Sequence, residues 1–190
     1  MSKEIKVVEL VIENEKDGVY AMSLVSKPAI MENFVFLSEQ FEIKMAESLV
    51  DKNILYGAAL VPNFKILRKD ENNNPYYIFL SEDTIGKVSQ LFLINGNQSN
   101  ATTQHLQKVE GVTIVESWIV EDEKNDKSNI YNLSLPKGTW VIGQKIDNPT
   151  VREQIKNGTL KGFSIEGRFS EKTELSAEEL LDQILEILTK

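Results

Sequence analysis

The feature that most constrains this chain is a succession of short runs rich in branched and aromatic residues, set apart by turn signals. They run from Ile5 to Ile12, Val19 to Val25, Phe34 to Leu37, Phe41 to Ala46, Ile54 to Val61, Tyr76 to Leu80, Val112 to Val120, Thr139 to Ile146 and Leu160 to Phe169. Each has the length of a strand and falls short of an ordinary helix. About nine such strands must hide their apolar faces by stacking or curling into sheets, so an α+β, mainly β domain is expected, a barrel or a sandwich. Asp17-Gly18 predicts a hairpin between the first two runs, and Asp70 to Pro75 a polar hairpin tip before Tyr76.

Helical signals are few and well bounded. Ser81, followed by Glu82 and Asp83, opens a run in which Ile85, Val88, Leu91 and Phe92 share one face, ending near Asn95-Gly96. Asn148 caps a shorter helix with Pro149 at its first position and Gly158 as its stop. From Ser176 to Thr189 a capping box precedes the stripe Leu180, Leu181, Ile184, Leu185 and Leu188. Two helices packed on the β domain, residues 1–169, and an amphipathic helical tail, residues 170–190, are therefore expected. The polar stretches Gly96 to Thr103 and Glu121 to Asn129 read as flexible loops.

Composition removes most chemistries. The chain has no Cys and one His, which excludes thiolate nucleophiles, zinc sites of Cys and His, and H-E-x-x-H signatures. Only an all-carboxylate cation site is left open, and no cofactor is expected. With 21 Lys plus Arg against 29 Asp plus Glu, the net charge of −8 argues against a nucleic-acid partner. No apolar run approaches the roughly 20 residues of a membrane-spanning helix, so the expectation is a soluble, intracellular protein without a membrane partner.

The strand from Leu160 to Phe169 carries the chemistry. Side chains alternate along it, so Phe163, Ile165 and Phe169 face one way while Gly162, Ser164, Glu166 and Arg168 face the other. A hydroxyl thus stands beside a bare backbone position, and Gly162 and Gly167 leave room for an extended peptide. A serine nucleophile needs a base. His105 is the sole imidazole in the chain. For the carboxylate that would orient it there are many applicants; Glu116, mid-strand among apolar neighbours, and Glu166, on the Ser164 face, stand out. Ser117 is a rival nucleophile, but bulky Trp118 and Ile119 follow it. Gly162 to Gly167 reads G-x-S-x-x-G, one residue off the nucleophile elbow, and no His follows it, which rules out an α/β-hydrolase order.

Several blocks together resemble the XkdF-like serine proteases of tailed phages and prophages, over nearly the whole chain up to about Arg168. They are Val19 to Ile30, Asn33-Phe34-Val35, Gly57 to Pro62, Ile66-Leu67-Arg68, the lone His, Val115-Glu116-Ser117-Trp118 and Leu160 to Gly167. The group is similar to phage prohead maturation proteases, whose clan includes the herpesvirus assemblins. This resemblance implies a β-barrel core, closed or partly open, with His105 as base and Ser164 as nucleophile in the family's order. The assemblins use a second His as third member. This chain lacks one, so the role is assigned to Glu116, with Gly162 and Glu166 as substrate-binding residues. The implied function is cleavage of scaffold and major capsid proteins within the assembling procapsid, in the bacterial host cytoplasm, with self-association as a further expectation. The alternative is a non-catalytic assembly protein of a phage particle with the same fold.

Overall fold

A computed structural model of the chain describes residues 5–26, 46–47 and 53–172. In chain order the strands are β1 (Val7–Val11), β2 (Gly18–Val25), β3 (Ala46–Glu47), β4 (Ile54–Leu60), β5 (Ile66–Lys69), β6 (Pro75–Leu80), β7 (Ala101–Thr103), β8 (Gln107–Val109), β9 (Val112–Ile119), β10 (Trp140–Ile146), β11 (Gly162–Arg168) and β12 (Ser170–Glu171). Helix α1 (Glu82–Ile94) lies between β6 and β7, and helix α2 (Pro149–Lys156) between β10 and β11. The expected strand Phe34 to Leu37, nearly all of Phe41 to Ala46, and the expected C-terminal helix lie outside the described residues. Ser170 and Glu171, the first residues assigned to the tail, pair with Val11 and Leu10 of β1.

The strands form three four-stranded sheets, in the orders β12-β1-β6-β5, β3-β4-β10-β9 and β11-β2-β7-β8. A mainly β fold with two helices is thus observed, but the expected barrel is not. Among the described residues each sheet keeps two edge strands, and closure requires every edge to be paired. The Asp17-Gly18 hairpin is likewise corrected, because β1 pairs in parallel with β6 while β2 pairs with β11 and β7. Asp17 instead folds a turn between two sheets. Its carboxylate accepts from the backbone N–H of Glu13 at 3.0 Å and of Asn14 at 3.1 Å, and from the Ser170 hydroxyl at 2.8 Å. The Glu13 N–H foremost, with the Ser170 and Asn14 donors, holds this carboxyl below its usual range.

The loop expected over Gly96 to Thr103 is a short 3₁₀ turn, Asn97–Ser99, followed by β7. Its polar side chains are structural rather than solvated. Asn97 and Asn100 donate their amides to the carbonyls of Val19 and Tyr20, and Met22 donates its N–H to the Asn100 carbonyl. These bonds lay β7 alongside β2. Between residues 121 and 129, Asp126 caps a second 3₁₀ turn, Lys127–Tyr131, by accepting from Ser128 N at 2.7 Å.

The core explains the sheet geometry. Strands β4 and β10 are buried on both faces: Leu55, Ala59, Trp140 and Ile142 join one cluster, Tyr56, Ala58 and Val141 another. Helix α1 presses Ile85, Val88 and Phe92 into the first cluster, where Phe92 meets Trp140 edge to face at 5.4 Å. Full burial of a side chain such as Phe92 is worth about 1.5–3 kcal/mol. On β11, Phe163 drops into the same core, which fixes the opposite orientation of Ser164 and Glu166. Asn148 caps α2 as expected, accepting from Thr150 N and Val151 N. Among the described residues no helix is long and apolar enough to cross a membrane.

Candidate active site

The strand register sets three hydroxyl residues in a row. Ser164 of β11 faces Ser23 of β2, and Ser23 faces Thr102 of β7. Met22 and Leu24 are fully buried in the core, so Ser23 lies on the other face with Ser164. Ser23 is itself fully buried; its Oγ donates to the Thr102 carbonyl at 3.5 Å and accepts the backbone N–H of His105 at 3.0 Å.

His105 sits in the tight turn joining β7 to β8. Gln104 and His105 both have positive φ, 54° and 59°, and Leu106 N donates to the Thr103 carbonyl at 3.1 Å. Positive φ at both central residues is the pattern of a type I′ hairpin turn, which favours Asn-Gly. Gln is poorly suited to this backbone, and left-handed geometry in a residue with a Cβ costs about 1–2 kcal/mol. The surroundings hold it in place. Gln104 N donates to the Leu24 carbonyl, the Gln104 side-chain oxygen accepts from Ser26 N at 3.2 Å, and Ser23 Oγ grips His105 N. A strained residue over-determined by its neighbours is characteristic of functional positions.

The carboxylate that meets the imidazole is Glu166. His105 Nδ1 lies 3.3 Å from Glu166 Oε1, and Thr102 Oγ1 donates to the same oxygen. A carboxylate only accepts, so it selects the tautomer with the proton on Nδ1 and leaves Nε2 free to take one. The Glu166 side chain is 19% exposed and the His105 side chain 41%, so the pair stands at the surface end of the hydroxyl row. Ser164 is nearly buried, and its Oγ has no hydrogen-bond partner among the described residues, His105 included. Gly162, at the start of β11, is buried and pairs with Val25.

Glu116, assigned from the sequence as the acid orienting His105, makes its hydrogen bond and ion pair elsewhere. Glu116 is on β9, in a different sheet, and accepts the Tyr56 hydroxyl at 2.6 Å while pairing with Lys127. Tyr56 stacks on Tyr131 at 3.9 Å, and Lys127 Nζ lies 4.9 Å from the Trp118 ring centre. Burial, then the adjoining Tyr131, pushes the Tyr56 hydroxyl up to about 12, so it stays a donor to Glu116. The apolar surroundings that made Glu116 conspicuous are answered by this structural cluster. Ser117 is also committed elsewhere, accepting from Trp140 Nε1 at 2.8 Å.

Sequence reasoning missed Ser23 and Thr102. The readable signal for Ser23 was its place between Met22 and Leu24, a lone hydroxyl at alternate spacing in an apolar strand. Thr102 offered no such signal, since β7 is three residues long.

No curated protein and no solved structure matches the chain. A family model does, over residues 41–174, which include β4 to β12 with His105, Ser164 and Glu166. That span is well over half of the sequence, and the chain belongs to the family described as putative phage serine protease XkdF.

Proposed function

We propose that the protein is a serine endopeptidase whose site comprises Ser164, His105 and Glu166. The observation that carries this reading is the His105–Glu166 contact on the sheet face that also bears Ser164. Ser164 Oγ attacks the carbonyl of a peptide bond as His105 Nε2 takes its proton, and Glu166 stabilises the imidazolium through Nδ1–H. His105 then returns the proton to the leaving amine, and water resolves the acyl-enzyme by the same route. Ser164 and His105 are not hydrogen-bonded to each other; catalytic contacts are often long in resting sites and tighten in the complex. Thr102 and Ser23 act as positioning residues, one holding the carboxylate and the other the turn that carries the imidazole.

The family description supports a phage serine protease, and the resemblance to prohead maturation proteases extends the proposal to scaffold and major capsid proteins as substrates inside the procapsid. Co-expression with the scaffold and capsid proteins of the same phage tests it by intact mass. Wild type is expected to shorten one or both, and Ser164→Ala and His105→Ala to leave them whole; identical products from all three overturn the assignment. The missing Ser164–His105 bond favours a second reading, a non-catalytic assembly protein, and identical full-length products accompanied by normal particles would support that one.

A further inference from the structure

A cavity of about 280 Å³ runs beside Ser164 where the sheets fail to close. Ile66, Ile78 and Leu80 of the β5–β6 hairpin line one side; Phe163, Ile165 and Phe169 line the other. Ser164 and Gly167 complete the β11 wall, so residues from both faces of that strand touch the cavity. This is the expected geometry of a space along a strand's edge. Strand β11 is the edge of its sheet, and no described strand pairs with its outer side. Arg68 is the sole charged residue of the lining; it is exposed, with Nη1 donating to the Leu67 carbonyl, so the guanidinium sits at the mouth and the interior is apolar.

We propose that this cavity is the specificity pocket, taking a large apolar side chain, Leu or Phe, from a substrate peptide laid in extended form along the free edge of β11. The proposal rests on the peptidase reading and names its substrate class. Edge addition satisfies the main-chain groups of β11 and of the peptide at once, while alternate side chains of the peptide point to opposite sides. One of them is thereby directed into the cavity next to Ser164. A cavity of about 150 Å³ admits a benzene ring, so a volume of about 280 Å³ holds a Phe or Leu side chain with room to spare. Small or acidic side chains would leave the apolar walls unfilled or bury an unpaired charge.

The test uses full-length Ser164→Ala protein and capped octapeptides of Gly, Ser and Thr carrying Phe, Leu, Ala or Asp at one central position. Calorimetric titration is expected to show the Phe and Leu peptides binding about 10- to 100-fold more tightly than the Ala and Asp peptides. Filling the pocket with Ile66→Trp, or with Ile78→Phe should the first variant fail to fold, is expected to erase that difference. Equal affinities across the series, no binding by any peptide, or a preference that survives in a folded filled variant overturns the proposal. Incubating wild type with the same peptides separates the two ideas. Apolar-selective binding without cleavage sinks the peptidase reading and leaves the pocket standing, whereas cleavage without selectivity does the reverse.

Discussion

The turn that carries His105 makes a quantitative prediction through the pair of variants His105→Gly and His105→Ala. Both delete the imidazole and its contact with Glu166, so that loss cancels in the comparison. The variants differ only in a Cβ at a residue with φ of 59°. Keeping that Cβ in left-handed geometry costs about 1–2 kcal/mol. Removing it frees the unfolded chain, which costs glycine about 0.5–1 kcal/mol. The difference leaves His105→Gly more stable than His105→Ala by up to about 1.5 kcal/mol, about 0.75 kcal/mol at mid-range, reversing the usual order of the two residues. For a chain of this size the mid-range value is a Tm difference of roughly 1.5–3 °C. Urea unfolding followed by the buried Trp140 reads it directly. If His105→Ala proves equally or more stable, the turn is not strained, and the claim that the fold holds His105 in place against its backbone preference is refuted.

Four further outcomes follow from other contacts. Glu166→Gln, which keeps the acceptor for Thr102 but weakens the hold on the imidazole, is expected to lower kcat by about 100-fold or more. Glu116→Gln is expected to leave kcat unchanged and to affect stability alone, and a larger kinetic loss in Glu116→Gln than in Glu166→Gln would restore Glu116 to the site. At Gly143 an added Cβ would stand 2.6 Å from Tyr56 Cε1 and 3.1 Å from Glu116 Cβ, so Gly143→Ala is expected to destabilise the protein by about 1–3 kcal/mol, measured by urea unfolding. Asp17 is held below its usual range, so its contribution is present above the unfolded value of 3.8 and is lost as pH falls through the lower folded value. Asp17→Asn is expected to destabilise at pH 7 and to flatten the acid limb of the stability curve, and an unchanged acid limb would contradict the role given to its turn.

Local chemistry was legible where one residue decides the outcome. Asn148-Pro149 started α2 because a side-chain acceptor and a fixed φ act within three residues. The alternation around Ser164 put it and Glu166 on one face because Phe163 had to enter the core. What the sequence hid were facts set by strand pairing. Asp17-Gly18 carries a hairpin signal, yet β1 pairs with β6 and β12 while β2 pairs with β11 and β7, and both strands pack on the same core cluster against β4 and β10. Among the described residues the strands make three sheets with free edges where a barrel was expected, because which strands pair is set by contacts far apart in the chain. Glu116 and Glu166 could not be ranked from the chain, because the choice depends on which sheet each strand joins. Only the register Ser164–Ser23–Thr102 brings Glu166 under the turn of His105, and only Gly143 lets Tyr56 reach Glu116. Gln104-His105 gave no turn signal at all, because its residues resist the conformation that the surrounding hydrogen bonds impose.

The central claim is that Ser164 is a nucleophile activated by His105. Treating the full-length protein with a fluorophosphonate, which loses fluoride as it bonds to an activated serine oxygen, tests this most directly by intact mass and peptide mapping. The account predicts a single adduct on Ser164, greatly slowed in His105→Ala and absent in Ser164→Ala. No adduct, an adduct on Ser23 or Ser117, or labelling of Ser164 at the same rate without His105 would contradict it.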